Sequence, residues 1–205
     1  MVPEKTPKLR IALPFVLAIS LAVPAVAHGA ESNAPPSAPR KRGELFVGLG
    51  GSAGLSDWSG DVVSYGALGL GLRLFDVITP FAEARVGVGR VDQRMLTYLS
   101  IGIAGTFHAT KKIAPRAFVG AVHQHEESLA AVAEEPAGAL VGIGVGIRHR
   151  AGVQLGVACD FTVYQKDRFI LTVGPELRGA YLTYSSGPSW YGQIGVAANG
   201  HFHLF

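Results

Sequence analysis

The feature that most constrains this chain is a strict two-residue periodicity, which begins at Gly43 and runs almost to the end. In the first stretch Leu45, Val47, Leu49, Ala53 and Leu55 share one parity, and Glu44, Gly48, Gly50 and Ser52 share the other. Similar runs cover 65–74, 82–89, 98–107, 116–121, 141–148, 153–163, 169–178 and 193–204, nine in all. A helix would scatter these residues around its circumference. Period two instead specifies a strand with two unlike faces, one bulky and aliphatic, the other rich in glycine.

The charges say what each face meets. Glu44, Arg73, Glu83, Arg85, Arg116, Arg148, Asp160, Glu176 and Arg178 all sit on the glycine parity of their runs, and none on the aliphatic parity. The lysines lie outside the runs, Lys111, Lys112 and Lys166 in the breaks between them. A water-exposed sheet face would carry several polar side chains per strand. Here only 16% of residues are charged, against about 25% in soluble domains. A closed barrel in a membrane accounts for both faces. Aliphatics face hydrocarbon, closure removes every unpaired edge, and the acids and arginines meet as a lumen ion-pair network. The expected fold is therefore all-β: an antiparallel up-and-down transmembrane barrel of eight to ten strands with a polar, glycine-rich lumen. Nine runs are one too many or too few, because single-chain bacterial barrels use even numbers. Pro175 inside the eighth run is the irregular position, since a closed ladder has no free edge for a missing N–H.

The N-terminus reads as an export signal. Lys5, Lys8 and Arg10 precede an apolar stretch over 11–25, and Ala25-Val26-Ala27 supplies small residues for cleavage before His28. The apolar stretch is shorter than the roughly 20 residues of a spanning helix. Residues 1–27 are thus expected as signal peptide, 28–42 as a Pro-rich flexible linker ending in Arg40-Lys41-Arg42, and 43–205 as the barrel. Cys159, the one cysteine, cannot form an internal disulfide and falls on the aliphatic parity. The net charge of +3 comes without a basic stripe interleaved with aromatics, so no nucleic-acid partner is expected.

Together the Ala25-Val26-Ala27 signal, the alternating glycine-rich strands and the terminal Phe205 resemble the small bacterial outer-membrane barrels of OmpA/OmpX type. The resemblance covers about four-fifths of the chain and rests on pattern, not on a diagnostic motif. It implies residence in the outer membrane of a Gram-negative cell envelope, contact with outer-membrane lipids, and insertion by the assembly machinery that recognises a C-terminal strand ending in an aromatic residue. One departure stands out: Phe205 shares parity with His201 and His203, while Phe202 and Leu204 lie on the other. Trp58, Phe75, Phe81, Tyr98, Phe161, Tyr184 and Trp190 are expected near strand ends as interfacial girdles.

Chemistry is sparse. His123, His125, Glu126 and Ser128 enter the longest break and hold the residue types of a lipid-modifying hydrolase, without a matching motif spacing. His123 and His125 also share a strand face, but two ligands make a weak zinc site. His201 and His203 repeat that spacing. The reading adopted is a polar strand end, with no catalytic site, no metal and no cofactor, and a structural or surface-interaction role. A small passive pore is the transport alternative.

Overall fold

The computed structural model describes residues 43–75, 77–107, 110, 112–144, 146–183 and 187–204. The expected signal peptide and linker lie outside the described residues, as do Lys111, Tyr184 and Phe205. The described residues form eight strands: β1 (Gly43–Ser56), β2 (Val62–Leu74), β3 (Ile78–Gly89), β4 (Arg94–Thr106), β5 (Ile113–Ser128), β6 (Arg148–Lys166), β7 (Phe169–Leu182) and β8 (Trp190–His203). Two short helices, α1 (Leu129–Glu134) and α2 (Pro136–Val141), lie between β5 and β6. Each strand pairs antiparallel with its sequence neighbour, and β1 pairs with β8 to close the barrel. The fold is all-β, up-and-down and even-numbered.

Closure is staggered. Paired residues lead from Phe46 through Gly71, Phe81, Gly102, Gly120, Gln154, Ala180 and Tyr191 back to β1 at Ser56, ten residues beyond the start. Such a stagger tilts the strands and sets the width of an eight-stranded barrel, whose interior side chains can fill. Connections at the end bearing Gly43 and His203 are short; the opposite end carries the segments around 57–61, 90–93, 129–147 and 183–189.

The sixth of the nine runs, at 141–148, is not a strand over 141–147. Alternation of glycine with Val and Ile suggested a strand there, but Val141 ends α2 and Gly142, with φ 76°, caps it in the left-handed region. Gly146, at φ 95°, turns the chain again before β6. These positive φ angles need glycine and break an extended path. Ala151-Gly152, in the break between the runs 141–148 and 153–163, consequently lies inside β6, as Pro80, in the break before 82–89, lies inside β3 and Lys166 at the end of β6. Pro175 is accommodated on one side only. It pairs with Val196 on β8, whereas the β6–β7 ladder passes from Ala158↔Glu176 to Phe161↔Val173.

The glycine face has a local cause. Phe46, Tyr65, Phe81 and Phe118 point into the barrel, each directly opposite a glycine of the next strand: Gly71, Gly87, Gly102 and Gly156. A Cβ on those glycines would meet the rings at 2.0, 2.3, 2.7 and 2.3 Å. Each ring therefore lies over bare backbone. Gly156→Leu should destabilise the barrel by about 1–3 kcal/mol, the usual range for overpacking. Urea titration in detergent micelles measures it, and an unchanged midpoint would contradict the packing.

The expected girdle divides. Phe75, Phe161 and Trp190 are exposed, and Trp190 packs on Tyr181 with ring centroids 5.2 Å apart. Phe81 and Tyr98 instead face inward, Tyr98 fully buried in T-shaped contact with Tyr65 and Tyr191. Their even and odd positions share the glycine parity of β4 and β3, and parity decides orientation.

Candidate functional site

Two constellations carry polar chemistry: the barrel interior and a cluster on its outer wall. In the middle of the lumen Arg178 is the hub. Its two terminal nitrogens fork onto Glu83 at 2.5 and 3.0 Å, its Nε donates to Glu176 at 3.0 Å, and its Nη1 donates to Gln154 at 2.8 Å. The guanidinium lies 4.5 Å from the Phe118 ring centroid. Arg85 crosses the lumen to Gln193 at 2.5 Å and Ser52 at 2.9 Å, with Glu83 at 3.6 Å. Towards the short-turn end Arg116 pairs with Asp160 at 3.2 Å, and Asn199 donates to the same carboxylate. Arg73 donates to Glu44 at 2.9 Å, and the other oxygen of Glu44 lies 3.0 Å from His203 Nδ1.

The opposite end is sealed more tightly. Glu126 is completely buried between Arg94, Arg148 and Arg150 at 2.9, 2.8 and 2.6 Å. Arg94 also pairs with the buried Asp61, and Arg150 donates to Tyr191 Oη at 2.9 Å and to the Pro188 carbonyl. Val63, Tyr65, Leu96, Tyr98, Val122, Leu182 and Tyr191 pack beneath this lattice. Charges taken out of water are tolerated only when each finds partners of this quality. A cavity of about 40 Å³ lies among Glu83, Arg85, Arg116 and Arg178, room for a few waters.

The structure thus gathers Glu44 with Arg73, Glu83 with Arg85, Glu176 and Arg178, and Asp160 with Arg116. Arg148 joins the end cluster and not these pairs. Asp61, Arg94, Arg150 and Glu126 were not counted in the lumen from sequence. Asp61 precedes its strand, and Arg94, Glu126 and Arg150 sit where the alternation fades into strand ends. Extending the strand parity three to five residues would have placed the last three.

His123, His125, Glu126 and Ser128 do not converge. Glu126 points into the lumen, while His123 and His125 are on the opposite parity and face outward. Ser128 caps α1, its Oγ accepting from Ala131 N at 3.2 Å. What the two histidines do meet is His149, directly across β6 from His125. His123 Nε2 lies 3.4 Å from His149 Nδ1, and ring centroids within the trio are 4.7 to 5.6 Å apart. His201 and His203 face inward beside Glu44.

No protein-family model and no curated protein matches the sequence. By structure, the chain is similar to Neisserial surface protein A (NspA): TM-score 0.53 and 9% identity, over 79% of this chain and 97% of that one. The fold is that of the small outer-membrane barrels. Two further solved structures align over similar lengths. The N-terminal β-barrel domain of Pseudomonas aeruginosa OprF does so at 14% identity and TM-score 0.47, over 76% of this chain and 96% of that one. Ail, the attachment invasion locus protein of Yersinia pestis, gives 12% and 0.48, over 79% and 99%. An outer-membrane-type barrel reverses the usual soluble arrangement, and this one does so throughout. Leu49, Leu68, Leu70, Ile101, Ile103, Val119, Val163 and Ile194 are half exposed or more on the outside, while the lumen's Glu44, Arg73, Arg85, Asp160, Glu176 and Arg178 are buried.

Proposed function

We propose that this chain is a non-conducting integral protein of the outer membrane, a rigid plugged barrel that presents its long-loop end to the cell exterior for structural or surface-interaction roles. The observation that carries this reading is the exposed aliphatic wall around the whole circumference, paired with an interior in which guanidinium and carboxylate groups satisfy one another. Leaving such a wall in water would be costly, whereas hydrocarbon is its natural solvent. Residues 1–27 serve export and the assembly machinery inserts the barrel, with β8 placing Phe202 on the lipid side. Longer connections conventionally face outward in this architecture, which puts 129–147 at the cell surface.

Fractionation of cells expressing the intact chain tests residence: the mature protein should sediment with outer membranes and shift on gels after boiling. Recovery as a monodisperse species without detergent would overturn the proposal. The filled lumen also predicts conductance. Purified protein added to planar bilayers should give no stepwise current, because Arg178, Glu83, Glu126 and Arg150 span the lumen at two levels. Reproducible unitary steps would favour the pore instead.

A further inference from the structure

We propose that His123, His125 and His149 form a binding site for a divalent first-row transition-metal ion, with zinc and copper(II) the best-suited members of that class. The site lies on the outer wall at the long-loop end of β5 and β6, outside both the lumen and its ion pairs.

Geometry supports three ligands at once. One ligand nitrogen from each ring lies within 4.8 Å of the others. The His123–His149 separation of 3.4 Å already matches the edge of a tetrahedron with metal–nitrogen bonds of about 2.0–2.1 Å. Small rotations would bring in the third ring. The three sit on two paired strands: alternate residues of β5 supply His123 and His125, and His149 faces His125 across the ladder. Backbone pairing therefore fixes their spacing before any ion arrives.

A second observation points to a ligand. His125 is buried, and its Nδ1 has no hydrogen-bond partner. A polar nitrogen removed from water without a partner costs free energy that coordination would recover. The cover over it is Gly142, the left-handed cap of α2, where a Cβ would lie 2.1 Å from His125 Cε1. Only a residue without a side chain lets the 129–147 segment close on the imidazole. His123 and His149 remain exposed, so an ion would enter from their side and keep a position open to water. Three neutral nitrogens without a carboxylate select imidazole-favouring metals over calcium or magnesium.

The test uses the mature chain without a polyhistidine tag, folded in detergent micelles and stripped with chelator. Cobalt(II) is titrated by visible absorption, and zinc by competition against it. One ion per chain should bind, with d–d bands of nitrogen coordination. His149→Ala and His123→Ala, both at exposed positions, should each weaken binding about a hundredfold, since losing even an outer-shell partner costs about 10–100-fold. The heat shift on gels verifies that each variant is folded. Zinc should also slow cleavage after Glu134 by a glutamate-specific protease, because the ion immobilises the residue beneath Gly142. No saturable uptake, or equal uptake by the His123→Ala, His125→Ala, His149→Ala triple variant, would overturn the site. The second result would move binding to another histidine of the chain. The measurement in micelles is independent of where the protein resides, so its failure leaves the membrane assignment untouched.

Discussion

Glu126→Ala is expected to lower the unfolding free energy by about 3–5 kcal/mol, the range for removing one partner of a buried ion pair. The carboxylate is the single anion shared by Arg94, Arg148 and Arg150. The three cations would respond differently. Arg148 is partly exposed and can turn to water, whereas Arg94 and Arg150 are almost wholly enclosed. Arg94 keeps Asp61, and Arg150 keeps Tyr191 and the Pro188 carbonyl. Most of the loss therefore falls on Arg150. The double variant Glu126→Ala, Arg150→Ala should accordingly lose less than the sum of the single changes, the mark of a direct interaction. Urea unfolding in lipid vesicles provides the comparison. A loss below about 1 kcal/mol for Glu126→Ala would place it in the range of surface pairs and contradict the buried cluster.

Ile101→Arg should cost about 2–4 kcal/mol in a bilayer, the penalty for a cation at the hydrocarbon midplane. Ile101 lies in the middle of β4, 67% exposed, between Ala82 and Ala121 on the neighbouring strands. Leu204→Arg, just past the end of β8, is the control, because the penalty falls to about 0–1 kcal/mol near the interface. Depth dependence is the decisive readout. Equal effects at the two positions would mean that the wall does not meet a membrane.

Parity made most of this architecture legible. The assignment of Leu49 or Ile101 outward and Arg85 or Glu176 inward needs only the two-residue period, and the coordinates follow it strand by strand. Parity fails where another cause produces the same pattern. Residues 141–147 alternate because glycines there serve left-handed turns, which a one-dimensional pattern cannot separate from a pleat. Tyr98 and Phe81 were expected at an interface because of their aromatic character, yet they stand on the inward parity, Tyr98 buried in the core and Phe81 edge-on against Phe118. His149 was silent for a different reason. It lies beyond the end of the sixth apparent run, so its pairing with His125 became visible only once β6 was known to start at Arg148. Ion-pair partners such as Arg178 and Glu83 sit on strands far apart in sequence, and only closure brings them together.

The rings lying over bare backbone bear on how the sheet zips. Alternation by itself forbids a slip of one residue, which would exchange the two faces, but it tolerates a slip of two. Moving β4 two places along β3 would set Phe81 against Ser100 or Ala104, and moving β6 along β5 would set Phe118 against Gln154 or Ala158. Every one of those alternatives carries a Cβ where the ring now rests. A β3–β4 or β5–β6 hairpin arriving two residues out of frame would thus be rejected sterically before the barrel shuts. Phe46 and Tyr65, by contrast, block a slip in one direction only, towards Arg73 and Arg85, because Gly69 and Gly89 stand on the other side.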